Sequence, residues 1–291
     1  MNPRPPEREE RLGEEAEARR RLGERPEPEP LPSTRRTIGA VVVTFNDADH
    51  IAPTIRGLAG RIAQVVVADL GSKDRTRQTV AERFPAVELF ELPLEAGFGA
   101  AVNEGARRLG QELLLVLHGD ARLRPGGLER LYETISDTQR RVGCCGPRLV
   151  APDGTVELSA GFAPTRLRRW RAAWTQLVPR PKLLGPRRRP KRVARLAPAV
   201  RTDVDWVSGA AMLVRREAFD EAGGMDERYF LLYGDADFCL RLRQAGWTVT
   251  YEPRARAIHL DRVAENVRSR RAARRRLERR YGLAGRLFRR S

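Results

Sequence analysis

Between residues 38 and 117, short apolar runs alternate with helical stretches of about ten residues, and this alternation strongly limits the possible folds. The run Ile38–Phe45 is nearly continuous in β-branched residues, which is typical of a strand covered on both faces. Further strands are predicted at Gln64–Asp69, Val87–Leu92 and Glu112–Leu117, with intervening helices near Ile51–Leu58, Thr76–Arg83 and Gly99–Leu109. This order predicts βαβ units, and therefore an α/β fold with a mostly parallel central sheet flanked by helices.

The predicted strands end in polar residues. Thr44 and Asn46 follow the first strand, Asp69 closes the second, and His118 and Asp120 follow the fourth. Ligands of parallel sheets bind beyond the carboxyl ends of the strands, so these side chains are expected on one rim, where they predict a pocket. Asp69 taken alone has an equally good structural interpretation, because the residues after it also fit a plain strand–turn–helix junction with an N-cap.

The segment 207–247 concentrates acidic residues around a turn and a helix start. It contains a predicted strand of small residues at 208–211, a Gly223-Gly224 turn, and the acids Asp226, Glu227, Asp235 and Asp237. Carboxylates held on a rigid frame predict a general base or a metal site. The alternative is structural, because acids at a helix N-terminus stabilise the helix dipole by roughly 0.3–1 kcal/mol.

The net charge of +17 is concentrated in two segments. Residues 166–201 hold thirteen Arg or Lys and no acid, and residues 265–291 hold eleven Arg and two Glu. In residues 1–36 nine Arg and nine Glu cancel, and this Glu/Arg/Pro-rich arm is predicted to be disordered or a frayed helix. Residues 262–291 are predicted to form a basic amphipathic C-terminal helix.

Both basic segments are predicted to contact an anionic membrane surface. In 166–201, Trp170 and Trp174 alternate with Arg, a pattern that suits the headgroup region of a bilayer. The same composition would suit binding to nucleic-acid phosphates, although nucleic acid is the less favoured partner. A further alternative is that residues 166–201 form a solvated excursion from the domain.

The location is predicted to be cytoplasmic. The three cysteines, two of them adjacent at Cys144 and Cys145, do not form a disulfide framework and are typical of reduced thiols. No apolar run approaches the ~20 residues that cross a bilayer, and the N-terminus lacks the apolar core of a secretory signal. Any membrane contact is therefore expected to be peripheral, on the inner face of the plasma membrane.

Five motifs in sequence order give the chain a resemblance to a known family. They are VVVTFN at 41–46, ADLGSKDRT at 68–76, GFGAAVNEG at 97–105, LVLHGD at 115–120 and the acidic segment 207–247. Over residues 37–261 the chain resembles a family 2 glycosyltransferase with the GT-A nucleotide-sugar-binding fold, in the rhamnosyltransferase-like branch. The resemblance implies an inverting transfer of a sugar, rhamnose for instance, from a dTDP- or UDP-linked donor. The implied acceptor is a hydroxyl of a glycan or polyprenyl-linked molecule in cell-envelope polysaccharide synthesis.

The resemblance also implies residue roles. Asp69 matches the acid that hydrogen-bonds the donor base, Asp120 the last acid of a DxD-like metal motif, and His259 a histidine that completes a Mg²⁺ or Mn²⁺ site. Asp235 matches the proposed general base. The implied donor-binding set is Thr44, Phe45, Asn46, Asp69, Ser72, Gly97, Asn103, His118 and Asp120.

Two positions depart from the family pattern. His118 stands where relatives carry Asp or Asn. It is expected to act as a metal ligand or to donate a hydrogen bond to a phosphate. Gly234 replaces the Glu that usually precedes the base, which makes Asp237 an alternative candidate for the general base. A second class of function therefore stays open, in which an inactive transferase fold binds anionic surfaces or nucleic acid through its basic segments.

Overall fold

The computed structural model describes residues 37–162, 199–230, 233–260 and 280. The predictions for the arm 1–36, for most of the excursion 166–201 and for the helix 262–291, apart from Arg280, lie outside the described residues. Within those residues, no helix combines the length and the apolar character that a membrane crossing requires.

Between residues 38 and 118 the helices and strands follow one another in the predicted alternation. In chain order they are β1 (Ile38–Thr44), α1 (Ile51–Arg56), β2 (Gln64–Asp69), α2 (Thr76–Arg83), β3 (Glu88–Glu91), α3 (Gly97–Arg107), β4 (Leu113–His118), β5 (Ala121–Leu123), α4 (Gly127–Ile135), β6 (Val142–Val150), β7 (Ala160–Gly161), β8 (Thr202–Asp203), β9 (Trp206–Val207), β10 (Ala211–Arg215), α5 (Arg216–Glu221), α6 (Gly234–Gln244) and β11 (Thr248–His259). A single 3₁₀ turn, Leu94–Ala96, precedes α3.

The central sheet of the described residues has nine strands in the order β3-β2-β1-β4-β10-β6-β11-β5, with β8 paired to β11. Strands β3, β2, β1 and β4 are parallel neighbours, as the βαβ pattern predicts. Beyond β4 the sheet is mixed, since β10 runs antiparallel to both β4 and β6, while β11 runs parallel to β6. The predicted α/β fold is confirmed, but the sheet is continuously parallel only across β3, β2, β1 and β4.

Helices cover both faces of this sheet. Along β1, Val41 and Val43 face the cluster that includes α3 and α6, whereas Ala40 and Val42 face the cluster that includes α1 and α4. All seven residues of β1 are buried, which explains why its sequence is apolar throughout instead of alternating.

The small-residue strand predicted at 208–211 is wrong in its bounds. Ser208, Gly209 and Ala210 form a turn between β9 and β10, and only Ala211 belongs to a strand. The amide of Gly209 and the carbonyl of Ala210 are consequently available for contacts other than strand pairing.

The strand register brings the polar strand ends together, as predicted. Thr44 lies opposite Asp69, and Val43 lies opposite His118. Strand β11 adds a further polar end to this rim, because His259 pairs with Ala121 beside Asp120.

Candidate active site

Two histidines and one aspartate form a cluster of potential metal ligands within the described residues. One ligand atom from each of His118, Asp120 and His259 lies within 4.8 Å of the others. Asp120 Oδ1 lies 3.5 Å from His259 Nε2 and 3.9 Å from His118 Nδ1. Two ligands bound to one divalent ion at about 2.1 Å each lie roughly 3–4 Å apart, so this spacing fits shared coordination.

Backbone pairing holds the cluster rigidly. The His118 amide donates to Ala210 O at 3.0 Å, and the Leu260 amide donates to Asp120 O at 3.0 Å. The ring of Phe98, at the start of α3, meets the His118 ring edge-on at a centroid distance of 5.0 Å. Phe98 was not among the predicted site residues, although it lies within the quoted GFGAAVNEG motif.

The protonation of His118 suits metal binding. Burial lowers its pKa to about 4, against the opposing effect of the Asp120 charge. The imidazole is therefore neutral at pH 7 and keeps a lone pair for an ion. Two imidazoles and one carboxylate form a donor set that fits a borderline divalent ion such as Mn²⁺ better than Mg²⁺, which prefers oxygen ligands.

A second group of polar residues lies at the ends of β1 and β2. Buried Asp69 accepts hydrogen bonds from the Ser72 amide at 2.8 Å and the Ser72 hydroxyl at 2.5 Å. Ser72 Oγ in turn accepts from the Asn46 amide at 2.9 Å, and Asn46 Oδ1 accepts from the Lys73 amide at 2.8 Å. Phe45 is 40% exposed at the edge of this group, while Thr44 is buried. Asn46 has a positive φ of 57°, which this network stabilises.

Asp47, which was not among the residues predicted for the site, joins these two groups. Its Oδ2 accepts from Thr44 Oγ1 at 2.7 Å and from the Phe45 amide at 3.1 Å. A Cβ at Gly119 would lie only 2.4 Å from this carboxylate oxygen, so the glycine between His118 and Asp120 permits the close approach. The signal was present in the sequence, because Asp47 directly follows a strand-end motif and Gly119 is the smallest residue of HGD.

Asp235 lies in the first turn of α6 and is held by backbone amides. Its Oδ2 accepts from the Gly209 amide at 2.9 Å, and its Oδ1 accepts from the Ala236 amide at 2.8 Å. Burial raises its pKa in spite of these hydrogen bonds. The turn 208–210 thus contacts Asp235 through Gly209 and His118 through Ala210, which connects the acidic segment to the histidine cluster.

Asp237 has a different environment, although it lies only two residues away. It is fully buried and accepts a hydrogen bond from Arg241 Nε at 2.8 Å. Tyr229 OH donates to it at 3.4 Å, and Arg280 Nη1 lies 3.3 Å from its Oδ1. These contacts are those of a structural ion-pair network.

Gly97 and Asn103, both predicted to bind the donor, connect α3 to the acidic segment. The Phe98 amide donates to Phe230 O at 2.8 Å, and a Cβ on Gly97 would lie 2.3 Å from that oxygen. Asn103 accepts from the Met225 amide at 2.8 Å and donates to Met225 O at 2.9 Å. The donor-binding roles of these residues stay predictions.

Comparison with known proteins agrees with the motifs. Residues 40–223 match the family described as Glycosyl transferase family 2. The N-acetylglucosaminyl-diphospho-decaprenol L-rhamnosyltransferase of Mycobacterium tuberculosis (strain ATCC 25618 / H37Rv) is 34% identical over 234 residues, which cover 75% of this chain and 74% of that protein. Rhamnosyltransferase WbbL of Escherichia coli (strain K12) is 47% identical over 58 residues, or 20% of this chain and 22% of that protein.

Two solved structures share the fold at low sequence identity. GalNAc-T7 with UDP, GalNAc and Mn²⁺ matches with a TM-score of 0.55 and 17% identity, over 78% of this chain and 44% of that chain. The mannosyltransferase PcManGT from Pyrobaculum calidifontis, in complex with GDP-Man and Mn²⁺, matches with a TM-score of 0.52 and 17% identity, over 88% of this chain and 66% of that chain.

The fold and the matched sequence define a glycosyltransferase with the GT-A fold. The chain belongs to glycosyl transferase family 2, which confirms the resemblance predicted from its motifs.

Proposed function

We propose that this glycosyltransferase transfers a rhamnosyl residue from a nucleoside-diphosphate sugar to a hydroxyl of a polyprenyl-diphosphate-linked glycan in cell-envelope synthesis. The observation that carries the proposal is the similarity to the mycobacterial decaprenol rhamnosyltransferase, which extends over three quarters of both chains. The local match to a second rhamnosyltransferase supports the same donor sugar.

The strand-end rim is the proposed donor site. The ends of β1 and β2, with Asp69, Ser72 and Asn46, would hold the nucleoside, and His118, Asp120 and His259 would hold Mn²⁺ or Mg²⁺. A bound divalent ion would neutralise the charge that develops on the diphosphate leaving group. The neutral His118 and the rigid pairing of His259 with Ala121 support this assignment.

Asp235 is the proposed general base. An acceptor hydroxyl has a pKa far above 7, so a carboxylate within hydrogen-bond reach must take its proton as the oxygen attacks. The acceptor O–C1 bond forms while the C1–O bond to the diphosphate breaks, with inversion at C1, and the proton passes to Asp235. The two amide hydrogen bonds occupy one lone pair on each carboxylate oxygen and leave others to receive that proton.

Asp237 is proposed to position the base rather than to react. Its buried ion pair with Arg241, on the next turn of α6, supports a role in fixing the helix that carries Asp235. Removal of one partner of such a buried pair typically costs about 3–5 kcal/mol.

The site of action is proposed to be the inner face of the plasma membrane. A polyprenyl-linked acceptor remains in the bilayer, so the enzyme must reach its surface. The basic segments 166–201 and 265–291 have the charge that anionic lipid attracts, at about 1 kcal/mol per Lys or Arg near the surface.

A transfer assay with purified protein tests the proposal. We expect label from dTDP-[¹⁴C]rhamnose to appear on polyprenyl-diphospho-N-acetylglucosamine in the presence of Mn²⁺ or Mg²⁺, with less product from UDP-glucose, UDP-galactose and GDP-mannose. The Asp120→Asn variant, purified in the same way, controls for contaminating transferases. Preferred transfer from a hexose donor other than rhamnose, or label on no lipid acceptor, would contradict the proposed substrates.

A further inference from the structure

Glu157 lies directly behind the histidine cluster, on the side of His259 that faces away from Asp120. Its Oε2 is 3.0 Å from His259 Nδ1, whereas His259 Nε2 faces Asp120 Oδ1 at 3.5 Å. Both side chains are 14% exposed, so solvent screens the contact only weakly. Glu157 lies outside all five sequence motifs that carry the family resemblance.

The loop that carries Glu157 is fixed next to His259 by backbone pairing. Strand β6 ends at Val150, which lies beside Ile258 of β11, and the loop therefore begins next to the strand end that carries His259. Val156 bridges back to Val150, and the Glu157 amide donates to Leu149 O at 3.0 Å. The carboxylate is thus presented from a short backbone-paired turn and not from a long unsupported loop.

The chemistry of this contact determines the state of the imidazole. An ionised carboxylate can only accept a hydrogen bond, so the contact with Glu157 favours a proton on Nδ1 of His259, and the neutral ring then has its lone pair on Nε2. Nε2 faces Asp120 Oδ1 at 3.5 Å, so a divalent ion between them would accept one lone pair from each. Metal-bound histidines almost always donate their other N–H to a carboxylate, a carbonyl or water, and this raises the basicity of the ligand.

We infer that Glu157 is a positioning residue of the metal site, which acts through His259 by fixing its tautomer and its ring orientation. The inference depends on the metal site proposed above and adds to it a carboxylate–histidine–metal relay. Glu157 also brings a second negative charge behind the site, so that Asp120 and Glu157 together balance a divalent ion. Loss of such a partner typically weakens metal affinity roughly 10- to 100-fold.

Titration with Mn²⁺ alone, followed by the electron paramagnetic resonance signal of the free ion, tests the inference without an activity measurement. We expect Glu157→Ala to weaken Mn²⁺ binding roughly 10- to 100-fold. Glu157→Gln should have a smaller effect, because its amide oxygen can still accept from Nδ1. Asp153→Ala is the matched control, because it removes the same charge from the same loop, where Asp153 caps the Thr155 amide at 2.8 Å. The metal-free melting temperature of each variant separates folding from binding.

A double-mutant cycle with His259 tests the route of the effect. If Glu157 acts through His259, then His259→Ala and the Glu157→Ala/His259→Ala double variant should bind Mn²⁺ equally. Additive losses, or a Glu157→Ala affinity equal to that of Asp153→Ala, would overturn the inference. Failure of the wild-type protein to retain Mn²⁺ would overturn the metal site itself, whereas binding that Asp120→Asn abolishes and Glu157→Ala leaves intact would overturn only the role of Glu157.

Discussion

At the scale of single residues, environment separates carboxylates that the sequence presents as equivalent. Asp235 and Asp237 lie two positions apart in the first turn of α6, where both would stabilise the helix dipole. Asp235 accepts from two backbone amides and contacts no cation within hydrogen-bond distance in the described residues, whereas buried Asp237 pairs with Arg241. We therefore propose that Asp235 takes the acceptor proton and that Asp237 stabilises the helix that carries it.

Asp47 provides a pH-dependent test of the site architecture. Burial raises its pKa from the ordinary aspartate value of 3.8 to about 6, and the charge of Asp120 acts in the same direction. Between these values the folded state binds more protons than the unfolded state, so the free energy of unfolding must fall as the pH rises. We expect urea denaturation of wild type to lose stability relative to Asp47→Asn between pH 4 and pH 6.5.

Asp74 is a suitable control because its pKa is shifted in the opposite direction to that of Asp47. Burial acts to raise its pKa, but the hydrogen bonds from Thr76 and Ala48 together outweigh burial and lower it, so its contribution to stability is lost only as the pH falls through the acid range. If the free energies of unfolding of wild type and Asp47→Asn changed in parallel from pH 4 to pH 6.5, the raised pKa of Asp47 would be contradicted.

At the scale of secondary-structure elements, α3 and the acidic segment are in contact through backbone atoms. Gly97 has a φ of 77° and no room for a Cβ beside Phe230 O, whereas Gly60 has a φ of 71° and open space around it. A left-handed conformation costs a non-glycine residue about 1–2 kcal/mol, and steric overlap in a packed region typically adds 1–3 kcal/mol.

We therefore expect Gly97→Ala to reduce the free energy of unfolding by about 1–3 kcal/mol more than Gly60→Ala does. Chemical denaturation of the two variants at the same pH measures the difference. Equal losses would mean that the contact between α3 and Phe230 is absent in solution.

The local part of the fold could be predicted from the sequence because it depends on short-range patterns. Strand β2 and helix α2 have the predicted bounds, and the polar ends of β1, β2 and β4 meet as the rule for parallel sheets requires. The strand predicted at 208–211 was wrong because small apolar residues fit a tight turn as well as a strand.

The contacts that define the site could not be predicted because they join distant parts of the chain. Asn103 bonds to Met225, and Glu157 meets His259, only because of the order and the register of strands that follow β5. The sequence contains no periodic signal for a strand order in which β10 lies between β4 and β6.

At the scale of the whole molecule, the excess positive charge lies in other stretches of the sequence than the residues of the strand-end rim. The basic segments 166–201 and 265–291 hold the excess charge, whereas the described rim is built around the carboxylates Asp47, Asp69 and Asp120. This distribution along the sequence supports the proposal that the catalytic domain reaches its acceptor at a negatively charged lipid surface.

A charge-removal variant tests the membrane contact. Replacement of Arg270, Arg271, Arg274 and Arg275 by Gln keeps Arg280, which lies 2.9 Å from Asp226. At about 1 kcal/mol per Arg near an anionic surface, we expect a marked loss of flotation with phosphatidylglycerol vesicles and no change with phosphatidylcholine vesicles. Unchanged binding to the anionic vesicles would contradict the proposal, and tighter binding to duplex DNA than to vesicles would favour the nucleic-acid alternative.

The central claim is that Asp120 serves the donor and Asp235 serves the acceptor within one catalytic site. Single-turnover transfer at saturating donor, measured beside Mn²⁺-dependent donor binding, tests it most directly. We predict that Asp235→Asn binds Mn²⁺ and donor as wild type does but transfers roughly 100- to 10,000-fold more slowly, while Asp120→Asn loses Mn²⁺-dependent donor binding. Asp220→Asn, an exposed acid on α5, should change neither quantity. Wild-type transfer by Asp235→Asn, or its loss of donor binding together with transfer, would contradict the account.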